Sequence, residues 1–147
     1  MASGDITTKF GSASSLTITL NSLANGSLAT SSALDIAGSS NPVEDVMVEI
    51  TLGAITATGN KQAIIYAVSS VDGTNFGDNT QTDNMIRIGT LSLPTSATYR
   101  SQACSVASAF RTLPPQFKVV VQNDAGVSFA ASGNSAQYRF VYKNIAP

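Results

Sequence analysis

The 147-residue chain has no histidine and no tryptophan, one cysteine, and only 12% charged side chains. Each scarcity excludes something. Without histidine there is no Ser-His-Asp or Cys-His arrangement, no HExxH zinc site, and no imidazole to move a proton near neutral pH. The lone Cys104 forbids an internal disulfide, and with no histidine to activate it, it reads as a buried structural thiol. Neither GxGxxG after a strand pattern nor GxxxxGK[ST] occurs, so nucleotide-loop readings fail as well. Basic and acidic residues number 8 and 9 and are scattered, for a formal charge of −1, which is not the footprint of a nucleic-acid binder. The longest apolar runs, AIIYAV and VVV, fall far short of the roughly 18 residues a membrane span needs. The opening MASGDITTKFGSASS has neither the basic nor the apolar region of an export signal. The expectation is a soluble protein made in the cytoplasm, without cofactor, nucleic-acid or membrane partner.

What is present is period-two alternation. Serine, threonine, asparagine, glycine and alanine occupy much of the chain, a composition that disfavours helices and suits strands joined by turns. In SLTITL, Leu16, Ile18 and Leu20 alternate with threonines, and in LATSSALDI the residues Leu28, Thr30, Ser32, Leu34 and Ile36 share a face. Asn25-Gly26 between them is a turn signal; Asn25-Gly26-Ser27 also spells a glycosylation acceptor, but without an export signal the turn reading prevails. DVMVEITLGAI sets Val46, Val48, Ile50 and Leu52 against Met47, Glu49 and Thr51. QAIIYAVSS is apolar on both faces, which predicts a strand inside a sheet and covered on both sides. MIRIGTLSL follows, with Gly89 as a bulge candidate, then TYRSQACSV, a short helical turn within SVASAFRTLPPQ, FKVVVQND, and AQYRFVYKNI, where Tyr138, Phe140 and Tyr142 share a face.

Strands without a helix of three turns predict an all-β chain: a single antiparallel β-sandwich, jelly-roll-like, of about eight strands. The sandwich domain is assigned to residues 14–147. Residues 1–13 form an N-terminal arm, flexible or bound to a partner, with Ile6 and Phe10 as its anchors.

The most chemically suggestive segment is IIYAVSSVDGTNFGDN. Asp72, Asn75, Asp78 and Asp83 crowd oxygen ligands together, and calcium takes six to eight oxygens. Read as an EF-hand loop from Asp72, however, Gly77 fits, Thr74 stands where a carboxylate is usual, and Asp83 stands where a glutamate belongs. The segment therefore reads as a long β-connection, opened by an Asp72-Gly73 turn, with Phe76 folding back as an anchor and polar residues facing water or a neighbour. Asp35, Glu44, Asp45 and Glu49 are read as solvated structural acids in preference to a glycosidase pair. No catalytic, cofactor or metal residue is assigned; Ile6, Phe10, Asp72, Asn75 and Phe76 are the candidate partner contacts.

The runs SSLTITLNSLANGSLATSSALDI, VEITLGAITATGNKQAIIYAVSSVDGTNF, FRTLPPQFKVVVQNDAG and AQYRFVYKNIA together resemble small structural proteins of tailed-bacteriophage heads and tails, over most of Ser14 to Ala146. The resemblance implies a non-enzymatic virion component. It points first to a head decoration, or cement, protein that binds the major capsid protein on the outer head surface as a homo-oligomer, with a trimer favoured. A tail, neck or fibre-associated structural protein is the alternative it implies, and a carbohydrate-binding jelly roll is the alternative from shared architecture.

Overall fold

The longest alternation builds the longest strand. In the computed structural model, which describes residues 6–39 and 41–145, β5 (Val43–Ile55) turns Val46, Val48, Ile50 and Leu52 inward at no more than 1% exposure. Removing each such side chain from water stabilises the fold by about 1.5–3 kcal/mol. The remaining strands are β1 (Ile6–Phe10), β2 (Ser14–Ser15), β3 (Leu28–Thr30), β4 (Leu34–Asp35), β6 (Gln62–Ser70), β7 (Ile86–Ser92), β8 (Thr98–Ser105), β9 (Gln116–Asp124) and β10 (Ser135–Ile145). One helical turn, α1 (Val106–Phe110), follows β8.

Two antiparallel sheets result, ordered β1-β10-β5-β8 and β3-β9-β6-β7, with β2 also on β10 and β4 also on β9. If β1 with β2 and β3 with β4 are each counted as one interrupted strand, eight positions remain, in the orders 1-8-3-6 and 2-7-4-5. This is the paired Greek-key arrangement of a jelly roll. The expected sandwich is therefore present, with two of its strands broken.

The breaks fall where the sequence reading needs correction. SLTITL keeps its alternation, with Leu16 and Leu20 buried and the threonines exposed, but beyond Ser15 it forms no ladder. It crosses between the sheets instead, with the Leu16 N–H donating to the Ala136 carbonyl and the Ser32 N–H donating to the Thr17 carbonyl. The first strand position is filled by Ile6–Phe10, part of the expected arm, which pairs with β10 of its own chain. In LATSSALDI the inward residues are Ala29, Ser31 and Leu34, not the Leu28, Thr30 and Ser32 face. The strand is interrupted after Thr30, and the buried Ser31 hydroxyl is satisfied by donating to the Ser32 carbonyl and accepting from the Val119 N–H. A hydrogen-bonded serine is tolerated inside where hydrophobic pattern alone places it outside.

β6 lies between β9 and β7, as its two apolar faces require. Ala63, Ile65 and Ala67 enter the core between the sheets, while Tyr66 and Val68 pack with Met85 and Val120 on the outside of their sheet. The register shift in the β6–β7 pair falls at Ile88, next to the expected Gly89.

Candidate functional site

Along β5, side chains opposite to Val46, Val48 and Ile50 face away from the core. Ladder pairing aligns them with neighbours on the same face: Met47 with Arg139 and Ser105, and Glu49 with Gln137 and Ala103. Phe10 stands opposite Val141 across the β1–β10 pair. Phe10, Met47, Glu49, Ala103, Gln137 and Arg139 line a shallow groove of about 250 Å³ on the outer face of the β1-β10-β5-β8 sheet. Met47 and Ala103 supply apolar surface, Phe10 supplies an aromatic side, and the polar side is built by the Gln137 amide donating to Glu49 Oε1 at 2.6 Å. Lys143 and Glu44 pair at 2.7 Å near the sheet edge, whereas Arg139 has no ion-pair partner among the described residues. Val141 is buried on this face at 8% exposure, but Ile6 and Phe10 each remain 61% exposed and Tyr99 on β8 is 62% exposed.

The second group of sequence candidates lies elsewhere. Asp72 opens the connection after β6 and draws it into a tight knot: one carboxylate oxygen accepts the Thr74 and Asn75 N–H groups at 2.9 and 2.8 Å and the Ser70 hydroxyl at 3.0 Å. The other accepts the Asn75 side-chain amide at 2.8 Å. The Asn75 N–H, then the Thr74 N–H, hold the Asp72 carboxyl well below the usual carboxylate range. Asp78 is lowered too, first by the Thr80 hydroxyl. Phe76 folds back as expected, and the Lys118 ammonium sits 4.2 Å from its ring centroid. These oxygens are therefore engaged in turn geometry, and no group of three or more His, Cys, Asp or Glu is placed to hold a metal ion among the described residues.

The five candidate contacts thus divide. Ile6 and Phe10 belong to the outer face of one sheet. Asp72, Asn75 and Phe76 belong to a loop over the other sheet, where Gly77 approaches Val68 and Phe76 covers Lys118. The structure does not bring the two sets together. The groove residues Met47, Glu49, Gln137 and Arg139, and the exposed Tyr99, are additions that alternation marks only as facing away from the core.

Asp45, Asp124 and Asp35 have structural partners, and the thiol is buried. Asp45 caps the start of α1 by accepting the Ala107 N–H at 2.8 Å and the Ser105 hydroxyl at 2.5 Å. Asp124 gathers Asn60 and Gln62, and Asp35 accepts the Ala37 N–H at 2.8 Å. Cys104 is buried, and burial pushes its thiol up, away from the reactive thiolate.

No protein-family model and no curated protein matches the chain. Among solved structures, BuGH86wt, crystallised in complex with neoagarooctaose, is similar over 97% of this chain at 9% identity and a TM-score of 0.57. This chain spans 20% of the length of that one. The Tobacco streak virus coat protein aligns over 97% of this chain and 88% of its own, at 11% identity and a TM-score of 0.38. Xyl-CBM35, in complex with a glucuronic acid containing disaccharide, aligns over 99% and 94%, at 13% identity and a TM-score of 0.36. Only the first of these overlaps carries structural weight, and what it establishes is a shared β-sandwich fold.

Proposed function

We propose that this chain is a non-enzymatic virion structural protein that binds the major capsid protein of a tailed bacteriophage and stabilises the outer surface of the head. The carrying observation is the outer face of the β1-β10-β5-β8 sheet, where Ile6, Phe10 and Tyr99 stand exposed and Phe10 borders a shallow groove, on a sheet backed by a close-packed core. Exposed apolar side chains on such a frame suit contact with another protein surface. The low charge suits a contact made by area and shape, and the resemblance of the strand and turn sequences supplies the virion context. Imaging expanded, undecorated capsids mixed with the purified protein tests the reading: regular added density on the shell is the expected result. Bare shells at saturating protein overturn it, and density confined to tails or necks replaces it with the tail-associated alternative.

A specific observation favours a second reading, a glycan-binding face. Phe10 borders Glu49, Gln137 and Arg139, so the groove combines an aromatic side with polar groups able to bond hydroxyls. A glycan array without hits removes that reading and leaves the first untouched.

A further inference from the structure

β1 leaves one edge of its sheet open. It pairs with β10 on one side, Ile6 opposite Ile145 and Phe10 opposite Val141, and no strand lies on its other side among the described residues. The Gly11 N–H donates to the Phe140 carbonyl. Backbone groups alternate sides along a strand, so Lys9 and Thr7 turn theirs toward β10, while Ile6, Thr8 and Phe10 turn theirs outward. Exposed edges are ordinarily blunted by bulges, charge or interruption. The other edges are: β7 has its register shift beside Arg87, β3 and β4 are separated by Ser31–Ala33, and β8 carries Arg100 and has its Ala103 carbonyl occupied by the Gln102 amide. β1 carries Lys9 and ends at the break over residues 11–13 before β2, but over Ile6–Phe10 it runs without bulge or proline, and both of its large apolar side chains are 61% exposed on one face.

We propose that β1 is a self-association strand, pairing antiparallel with β1 of a second copy about a two-fold axis midway between the two Thr8 residues. The sequence of the strand is self-complementary in this register. Thr8 meets Thr8, Ile6 meets Phe10 in both directions, and all three residues with outward backbone groups fall into hydrogen-bonded pairs. The exposed apolar side chains then cover one another on one face. The single charge, Lys9, lies on the opposite face against Thr7 of the second copy. Sliding the strands by two residues one way sets Lys9 against Lys9, and sliding them the other way leaves Phe10 without a partner; both lose paired residues. The result joins two sheets into one continuous sheet, a strand-addition contact between identical chains. This inference does not rest on the capsid reading, although it draws on the same Ile6 and Phe10, and it replaces the three-fold association implied by the resemblance with a two-fold one.

Sedimentation of the full chain up to about 1 mM, where a millimolar association is half formed, gives the first measurement. A monomer–dimer equilibrium is expected. Thr8→Glu places two carboxylates opposite each other in the dimer while setting each beside Lys143 of its own chain, the cross-strand neighbour of residue 8, so β1 stays docked on β10. It should weaken dimerisation about tenfold or more, with partial recovery as salt screens the repulsion. A mass of one chain at every concentration, a trimer, or a dimer indifferent to Thr8→Glu overturns the proposal. Should Thr8→Glu alter the circular dichroism spectrum, one added cysteine at a time decides, the native Cys104 being buried: under mild oxidation Thr8→Cys should cross-link two copies, whereas Ser101→Cys on the β8 edge should not. Failure of the Thr8→Cys cross-link, or equal cross-linking at residue 101, overturns the inference equally.

Discussion

Gly89 and Cys104 meet across the sandwich, one on β7 and the other on β8, which belong to different sheets. A Cβ on residue 89 would run into the Cys104 sulfur and come within 3.3 Å of its Cβ. The glycine is there for space, since this is the point where one sheet's backbone lies against the other's side chain. Gly89→Ala should therefore lower stability by about 1–3 kcal/mol, the usual range for overpacking. Combining it with Cys104→Ala should recover part of that loss, with a coupling of about 0.5–3 kcal/mol between the sites. Urea unfolding of the two single variants and the double variant checks this, and strictly additive losses would refute the contact. Asn123 shows the same dependence on a single residue in polar form. It is fully buried, its amide donates to the Leu23 and Val127 carbonyls, and its side-chain oxygen accepts the Ala125 N–H, so one side chain closes three backbone groups where the chain leaves β9.

The connection between β6 and β7 shows what the sequence discloses about an element and what it leaves out. Its turn character was legible from Asp72-Gly73 and the surrounding polar residues, and so was the return of Phe76. The network that fixes it titrates with a definite sign. Because the folded carboxyl of Asp72 lies below its ordinary 3.8, the stabilisation is complete above that value and is lost as pH falls beneath it. Amide protection factors of Thr74 and Asn75 should stay level from neutral pH down to about pH 4 and decline below it, while Asp72→Asn, which does not titrate, should flatten the acid limb. Hydrogen exchange followed by NMR measures both. β5, β6, β9 and β10 were legible for a different reason: each has enough alternating apolar residues to declare a face. Leu28–Ile36 was misread because parity is lost at the interruption and a satisfied Ser31 takes an inward place. The site was half legible. Ile6 and Phe10 stood out as the apolar residues of a polar stretch, but nothing local marks β10 as the partner of β1, since the pairing joins opposite ends of the chain. The groove depends on the same long-range order, which places β10 beside β5 and so brings Gln137 to Glu49.

At the scale of the whole molecule, the proposed function and the proposed pairing make separate demands on one titration. A protein that binds the assembled shell in preference to free capsid subunits raises shell stability by mass action, by about 2.7 kcal/mol per site at a concentration 100 times Kd. Capsid melting temperature, followed by calorimetry against added protein, should therefore climb through the binding range. Pairing through β1 adds a second effect without adding a contact to the shell. Once one copy is bound, its partner engages the next site intramolecularly, and avidity exceeds single-site affinity by about 10²–10⁴ where the geometry allows both to bind. Thr8→Glu should then shift the melting curve to higher protein concentration, and because residue 8 lies between Ile6 and Phe10 on the proposed contact face, the disulfide-linked Thr8→Cys dimer compared with its reduced form separates loss of the link from a change in that face. A plateau no higher than that of bare capsids would remove the decoration reading while leaving the dimer to be judged by sedimentation. Superimposable curves for Thr8→Glu and the unaltered chain, with sedimentation still showing a Thr8-dependent dimer, would mean that pairing and shell binding occupy different states of the molecule, as expected if the capsid itself takes the β1 edge.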